Sequence, residues 1–357
     1  MSTQTSLPGD RGRWVRDGNR VILLPSGGGG PRGRTLAFHP LLGYRPAGTG
    51  AGVPKARIFA RGGGAEEEIL GADTRALVAD TIPVPFRFVC CLELFFTHPN
   101  NPLDQILVRG SGTLISDRHV LTCGHNLLFR LPDFPAAGRV QPARITAVPG
   151  RNGTARPLGE ADAADMRVPA QWTAGTNAQF DYGLITLDVP LGAEPQAALG
   201  GQPLGFWSSP RLGGGTRIRP HTLAKLRGLE VNQAGYPTDK CENLPAVGSA
   251  TAAQLAACGI DRVGTMMWRS NGHVVNPSPP TEPRSITYDM DSFHGDSGGP
   301  VWVRWQDYRN VVAVHTGGFP DPHDPTHIIA NMGVRITDEV LTQLRAWMRA
   351  DGVMANF

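Results

Sequence analysis

Short apolar runs separated by turns rich in Gly, Pro, Asn and Asp recur through most of the chain. Examples are residues 106–116, 118–123 and 180–188, each of strand length. This spacing predicts many short strands and therefore a mainly β protein. The segment 337–352 differs, because its apolar residues share one helical face behind a capping Thr337, and it predicts a C-terminal helix.

Composition agrees with a turn-rich β fold and narrows the partners. The 357 residues suffice for one large or two medium domains, and they include 45 Gly and 31 Pro with only 18% charged residues. A formal net charge of +3 gives no electrostatic argument for nucleic acid or an anionic membrane. No apolar run approaches the ~20 residues of a membrane span. We therefore expect no nucleic acid and no membrane span, and the sequence leaves the oligomeric state open.

The cysteines and the first residues bear on location. The first twenty residues lack the apolar stretch of a secretory signal peptide, so we expect a chain that is cytoplasmic as synthesised, with a leaderless export route as the alternative. Five cysteines cannot all pair within one chain. Cys241 and Cys258 flank an insertion and could clip it with a disulfide, but in a reducing compartment they would stay thiols.

Residues 1–68 are predicted to form a separate extension. Within it, 13–24 reads as a small hairpin, because Asp17-Gly18 is a strong two-residue turn signal between apolar strands. Gly-rich tethers and a stretch rich in Pro and Gly follow. The extension is interpreted as either a propeptide or a regulatory arm.

The hexapeptide 295–300, Gly-Asp-Ser-Gly-Gly-Pro, is the strongest chemical signal. A serine hydroxyl is a poor nucleophile unless a base takes its proton and nearby donors receive the charge that develops on the attacked carbonyl. The flanking glycines allow a tight turn that exposes the Ser297 hydroxyl. The same turn would aim the backbone N–H groups of Gly295 and Ser297 at one point, forming an oxyanion hole. The alternative is an ordinary Gly-rich surface turn.

Two further segments supply the partners such a serine needs. His125 ends an apolar strand and is the candidate base, and Asp181 begins another and is the candidate carboxylate that would orient the imidazole. A lone His or a strand-initial Asp is usually structural. The three contexts together, in the order His, Asp, Ser, favour a catalytic triad.

That order and those contexts resemble the chymotrypsin-like serine peptidases over roughly residues 69 to 350. The segments 235–240 and 264–272 further resemble the bacterial glutamyl endopeptidases, a branch of that clan. The resemblance implies two antiparallel six-stranded β-barrels, 69–200 and 201–357, with the C-terminal helix packed on the second and the active site in the crevice between them. It implies a serine endopeptidase acting on protein or peptide substrates through an acyl-enzyme, with no metal and no cofactor.

The resemblance also implies how such a peptidase is activated. In trypsin-like zymogens a new amine pairs with the Asp before the nucleophile, which here is Asp296. Ile69, after three glutamates, is the matching candidate amine, so the chain is predicted to be made as a zymogen. The alternative is that 66–68 are a solvated charge run in a linker.

Specificity is predicted from two conflicting signals. Asp291 lies six residues before the nucleophile, where the resemblance to trypsin implies an acid that binds Arg or Lys at P1. His315, assisted by Ser292, matches the residue that receives a glutamate side chain in the glutamyl endopeptidases, with Thr316 and Gly317 beside it. An acidic P1 residue is favoured over a basic one. If both groups face one pocket, they would pair and their charges would largely cancel.

Two departures from the family stand beside the candidate base. Cys123 occupies a position that is usually Ala, and Asn126 one that is usually Cys, so the family's disulfide beside the active site is in doubt here. The competing hypothesis for the whole chain is a catalytically silent peptidase fold kept as a binding module. The intact His, Asp and Ser argue against it.

Overall fold

The computed structural model describes residues 13–17, 20–24, 34–38, 69–131, 134–175, 177–210, 215–241, 258, 262–275 and 284–357; side chains are described from residue 69 onward, except those of 102–104. The predicted Gly-rich tethers and the acidic residues 66–68 lie outside this set. The strands are β1 Arg13–Asp17, β2 Arg20–Leu24, β3 Arg34–Phe38, β4 Ala76–Leu77, β5 Val89–His98, β6 Asn101–Leu114, β7 His119–Thr122, β8 Phe129–Arg130, β9 Arg139–Val140, β10 Arg144–Pro149, β11 Ala161–Arg167, β12 Gly183–Leu187, β13 Thr216–Ile218, β14 Glu230–Gly235, β15 Trp268–Val275, β16 Ser285–Tyr288, β17 Pro300–Trp305, β18 Tyr308–Pro320 and β19 Ile328–Arg335.

Helices are few and mostly short. The α-helices are α1 Gly124–Leu127, α2 Ala170–Ala174, α3 Leu223–Leu226 and α4 Asp338–Ala350, and 3-10 turns occur at Phe86–Phe88, Pro135–Ala137, Ala178–Phe180 and Ala197–Leu199. In the described part of the chain no helix is long and apolar enough to cross a membrane.

Strands β5, β6, β7, β10, β11 and β12 close into the first barrel. They pair in the order β6-β5-β10-β11-β12-β7, and a further pairing of β6 with β7 joins the ends. Strands β5 and β12 are buried over most of their length, so apolar residues predominate on both of their faces, although the buried part of β5 includes Glu93. At the outer edge, β1 and β2 pair antiparallel and β3 runs parallel to β6, so the extension before residue 69 adds strands to this sheet.

The second barrel is built from β14 to β19. Its order is β18-β17-β14-β15-β16-β19, closed by pairing between β18 and β19. The predicted fold class, mainly β with two antiparallel six-stranded barrels and a C-terminal helix, is therefore confirmed.

One hydrophobic core runs through the contact between the barrels. The Trp207 ring packs against Phe88 of the first barrel and Trp302 of the second, with centroids 6.2 and 6.1 Å apart, and its indole N–H donates to the Thr113 hydroxyl at 2.7 Å. A tryptophan can be fully buried here because its one polar atom finds an acceptor. Since the barrels share this core, side chains at their interface hold fixed relative positions.

Helix α4 begins at its predicted cap, where the Thr337 hydroxyl accepts from the Val340 N–H at 3.3 Å. Its far end, however, lies against the first barrel. Asp351 accepts hydrogen bonds from Arg167 Nη1 and Thr186 Oγ1, each at 2.8 Å, and pairs with His119 Nε2 at 3.0 Å. The helix thus bridges both barrels instead of packing on the second alone. Charged anchors that are distant in sequence decide this.

Candidate active site

His125 lies on α1, directly after β7 delivers the chain to the interface. Gly124 precedes it in a tight space: a Cβ there would lie 3.0 Å from Trp172 Cδ1 and 3.1 Å from Asp181 Oδ1, closer than most real contacts of a Cβ. The imidazole keeps 19% of its surface exposed. The predicted base is therefore held rigidly while one side of its ring faces solvent.

Asp181 follows the 3-10 turn at 178–180 and is fully buried. One carboxylate oxygen lies 2.7 Å from His125 Nδ1, and the other accepts from the His125 backbone N–H at 2.8 Å. Two bonds to one residue fix both the position and the rotation of the ring. Because the carboxylate accepts a hydrogen bond from Nδ1–H, it selects the tautomer in which Nε2 has a lone pair and can act as a base.

The same pair sets the protonation of the imidazole. Burial by itself lowers the pKa of His125, but the adjacent Asp181 carboxylate stabilises the imidazolium and raises that pKa well above its ordinary value. This is the electrostatic arrangement that a general base needs when it must carry a proton between two steps.

Ser297 lies in the loop between β16 and β17. Gly295 and Gly298 have φ of +99° and +88°, values that L-residues with side chains rarely adopt. A Cβ at Gly298 would also collide with Thr122 and Ser111. Backbone conformation thus favours glycine at both positions, and at Gly298 close approach to the first barrel requires it as well.

Two hydrogen bonds attach this loop to the first barrel beside the histidine. The Ser297 carbonyl accepts from Asn126 Nδ2 and from the Ser111 N–H, both at 2.9 Å. Asn126 is the residue after His125, so the loop is fixed to the same helix that carries the base. Sequence reasoning noted Asn126 only as a missing cysteine and gave Ser111 no role. A polar residue at a position the family fills with Cys was the one available signal.

The peptide groups expected to form the oxyanion hole are fixed in orientation. The His294 carbonyl accepts from Thr238 N at 2.6 Å, and the Asp296 carbonyl accepts from Gly299 N at 2.9 Å. In a trans peptide the N–H points away from the carbonyl of the same unit. The N–H groups of Gly295 and Ser297 are therefore held on the opposite side from these two acceptors.

His315 lies beside the loop that carries Ser297. The Gly298 N–H donates to its carbonyl at 2.8 Å, and its own N–H donates to the Gly299 carbonyl at 3.0 Å. The ring is fully buried, with Nδ1 2.6 Å from the Tyr288 hydroxyl. Tyr288 was not identified from the sequence, because it lies 27 residues away and is brought in only by the pairing of β16 with β19 and of β19 with β18.

Two other predicted pocket residues, Thr316 and Gly317, lie on β18 next to His315. Thr316 is buried and its hydroxyl lies 3.4 Å from the Met332 carbonyl, and Gly317 has φ of +150°. Ser292 is fully buried, and its hydroxyl has no hydrogen-bond partner among the residues that the structure describes.

The carboxylate of Asp291 is hydrogen-bonded to the segment that follows the extension. Its carboxylate accepts from the Leu70 N–H at 2.8 Å, the Thr74 N–H at 2.8 Å and the Thr74 hydroxyl at 2.6 Å. It is only 2% exposed. A carboxylate that already accepts three hydrogen bonds from the chain is a structural anchor.

The segment around Ile69 lies against Asp291 through Leu70. Asp296, the predicted partner of an Ile69 amine, is buried and accepts from the Phe293 N–H at 3.1 Å. In the intact chain, therefore, the segment 70–74 is held by Asp291 and not by Asp296, which lies five residues later.

A buried charge cluster fixes the same segment further along, and sequence reasoning missed it. Arg75 pairs with Asp73 at 2.9 Å and with Asp239 at 2.5 Å, and Lys240 pairs with Asp73 at 2.8 Å. Burial alone would raise the pKa of Asp73, but the hydrogen bonds from Arg75 and Lys240 hold it well below its usual range. All four groups are nearly inaccessible, so loss of one would leave a buried charge unpaired.

Cys123 provides an unexpected neighbour to the base. Its Sγ lies 3.4 Å from His125 Nε2, the nitrogen opposite the Asp181 contact. The thiol is fully buried, and burial raises its pKa. Of the possible metal-ligand clusters among the described residues, the one found is Cys123, His125 and Asp181.

Cys241 and Cys258 form a disulfide, as the sequence suggested for an oxidising compartment. The remaining three cysteines, Cys90, Cys91 and Cys123, are buried thiols.

Comparison with known proteins gives matches along most of the chain. A glutamyl endopeptidase of Bacillus licheniformis is 26% identical over 286 residues, covering 79% of this chain and 69% of that protein. A Bacillus subtilis protein named extracellular metalloprotease is 24% identical over 280 residues, which cover 78% of this chain and 69% of that protein. The solved structure of a Glu endopeptidase covers 79% of this chain and all of its own, with a TM-score of 0.54 and 21% identity. No model of a known protein family matches the chain.

The comparisons correct the expected location. The prediction of a cytoplasmic protein is wrong, because one of the similar proteins is named as extracellular and the similarity does not indicate a cytoplasmic protein. The Cys241–Cys258 disulfide fits the same conclusion, since such bonds persist in oxidising compartments. The prediction failed because it rested on what the first twenty residues lack.

The expected two-barrel fold and the expected kinship are both confirmed. By sequence this chain is a homologue of a glutamyl endopeptidase, and its fold has the architecture of the chymotrypsin-like serine endopeptidases.

Proposed function

We propose that the chain hydrolyses peptide bonds through a triad of His125, Asp181 and Ser297. The observation that carries this proposal is the bidentate hold of Asp181 on His125, at 2.7 and 2.8 Å, on the helix to which the loop of Ser297 is bonded. A structural Asp–His pair would not need a nucleophile loop with two positive-φ glycines fixed beside it.

The chemistry follows from the roles of the three groups. His125 Nε2 takes the proton from the Ser297 hydroxyl as the oxygen attacks the substrate carbonyl, and the N–H groups of Gly295 and Ser297 stabilise the oxyanion. The imidazolium then protonates the leaving amine, and the acyl-enzyme remains. Water, deprotonated by the same imidazole, hydrolyses the ester and restores Ser297. No step requires a metal or a cofactor.

The preferred P1 residue is glutamate. His315 is held beside the nucleophile loop and its orientation is fixed by Tyr288, so it can present a donor to an acidic side chain. Asp291, the residue that would attract Arg or Lys, is already used by Leu70 and Thr74. The name of the Bacillus licheniformis relative agrees with this preference.

Residues 1–68 act as a propeptide, and the peptidase domain starts at Ile69, with barrels at 69–200 and 201–357. The bond between Glu68 and Ile69 has glutamate on its acyl side, so an enzyme that prefers glutamate would cut its own chain there. The Ile69 amine would then become available to Asp296. N-terminal sequencing of active protein tests this, and activity from a chain that retains Ser2 would contradict it.

Labelling by an organofluorophosphonate tests the nucleophile itself. We expect one labelled site per active chain, lost in Ser297→Ala. Ser285→Ala is the matched control, because Ser285 is also a buried serine of the second barrel; its own hydroxyl has no hydrogen-bond partner within the described chain. Equal labelling of Ser297→Ala and of the unaltered chain would refute the role of Ser297. Absence of any labelling would favour a catalytically silent binding module.

A further inference from the structure

A sulfur and a nitrogen atom, both suited to binding soft or borderline metal ions, face each other at His125. The Cys123 thiol and the His125 Nε2 lie 3.4 Å apart. In a tetrahedral zinc site, metal distances of about 2.3 Å to sulfur and about 2.0 Å to nitrogen place those two donors about 3.5 Å from each other. The two side chains therefore already have the separation that one bound ion requires.

The Asp181 carboxylate completes the arrangement from the other side of the ring. Metal-bound histidines generally donate their second ring N–H to a carboxylate, which fixes the tautomer and makes the ligating nitrogen more basic. Here Asp181 lies 2.7 Å from Nδ1, so the free lone pair is on Nε2, the atom that faces Cys123. The imidazole keeps 19% of its surface exposed, so an ion can approach from the solvent, and water would supply its remaining ligands.

We propose that a thiophilic divalent cation such as Zn²⁺ binds Cys123 Sγ and His125 Nε2 and thereby inhibits the enzyme. The thiol releases its proton to the solvent as the sulfur–metal bond replaces the S–H bond, and the imidazole donates its lone pair to the ion. His125 then has no lone pair with which to accept the Ser297 proton, so hydrolysis stops until the metal is removed. Magnesium and calcium prefer oxygen donors and leave the site unaffected.

The site depends on this chain's own cysteine, because alanine at 123 would leave a single imidazole ligand. The inhibitory effect rests on the proposed role of His125, whereas metal binding does not. The two can therefore be measured separately.

The inhibition experiment compares Zn²⁺ titrations of peptide hydrolysis by active protein. We expect Cys123→Ala and Cys123→Ser to need at least about tenfold more zinc for half inhibition than the unaltered protein, relative to each variant's own zinc-free rate. Cys90→Ala is the matched control, since Cys90 is an equally buried thiol whose Sγ contacts the Phe88 carbonyl at 3.8 Å, and it should keep the original sensitivity. A chelator should restore the rate.

The binding experiment uses Co²⁺ with the full chain and reads the thiolate-to-cobalt charge-transfer absorption. We expect the band in the unaltered chain and in Ser297→Ala, and its loss in Cys123→Ala. No band in the unaltered chain, an equal band in Cys123→Ala, or zinc inhibition indifferent to Cys123 would overturn the proposal. Cobalt bound through Cys123 in a chain that hydrolyses no peptide would support the metal site and refute the proposed function instead.

Discussion

Replacement of Asp291 by asparagine separates a structural role from a role in specificity. The carboxylate is 2% exposed and accepts three hydrogen bonds from Leu70 and Thr74. An asparagine keeps one acceptor oxygen, but it turns an NH₂ group toward one of the backbone N–H donors. That donor is left unsatisfied in a partly buried setting, which costs about 1–3 kcal/mol, and the bonds that remain lose their charge assistance.

We therefore expect Asp291→Asn to lower the free energy of unfolding by about 3 kcal/mol. At roughly 2–4 °C per kcal/mol, this corresponds to a decrease in Tm of roughly 6–12 °C. The order of P1 preferences among the peptides that are still cleaved should not change, because the Asp291 carboxylate is already bonded to Leu70 and Thr74. Thermal unfolding and a cleavage profile on a mixed peptide library measure the two effects independently.

The matched control is Asp289→Asn, two residues earlier in the same loop. Asp289 is exposed and its carboxylate accepts from the His273 N–H at 2.5 Å, so its loss should cost less than about 1 kcal/mol. The reasoning is refuted if Asp291→Asn keeps the original Tm and selectively abolishes cleavage after Arg or Lys. That pattern would identify Asp291 as the floor of a basic P1 pocket.

Three further substitutions test the rest of the site. Because the pKa of His125 is raised and only the neutral imidazole acts as a base, kcat/KM of the unaltered protein should rise with pH through a midpoint above 6.5. In a pH–rate profile, Asp181→Asn should move that midpoint to lower pH and reduce kcat about 10⁴-fold. Tyr288→Phe, which removes the hydroxyl 2.6 Å from His315, should reduce kcat/KM for a Glu-P1 peptide about tenfold and leave a Gln-P1 peptide nearly unchanged; an equal loss for both would deny His315 its role in charge recognition. Asn126→Ala removes one of the two donors to the Ser297 carbonyl and should lower kcat about tenfold with little change in KM in steady-state assays, a result that an unaltered kcat would contradict.

Local patterns in the sequence predicted a large part of this structure. Turn-bounded apolar runs such as 180–188 indicated β structure, since apolar segments of strand length must be covered on a sheet and Gly and Pro restrict where the chain can turn. The cap and apolar face of α4 likewise follow from spacing alone. Glycines at 295 and 298 could be read for the same reason, because positive φ excludes side chains.

Contacts between distant residues could not be read in this way. Whether Asp291 faces a substrate or the chain depends on where residues 70–74 lie, and its partners are more than 200 positions away. The cluster of Asp73, Arg75, Asp239 and Lys240 gives no sequence signal, because charged residues are ordinarily solvated and only burial reveals the need for partners.

The sequence by itself determined which residues are the candidates for peptidase chemistry, because the proposed nucleophile, base and carboxylate each lie in a short segment whose local pattern is informative. Only the tertiary structure decided which charges neutralise each other, that α4 ends on the first barrel, and that Cys123 lies against the base. Those outcomes depend on how two closed barrels pack, and packing brings together side chains whose separation along the chain contains no record of their distance in space.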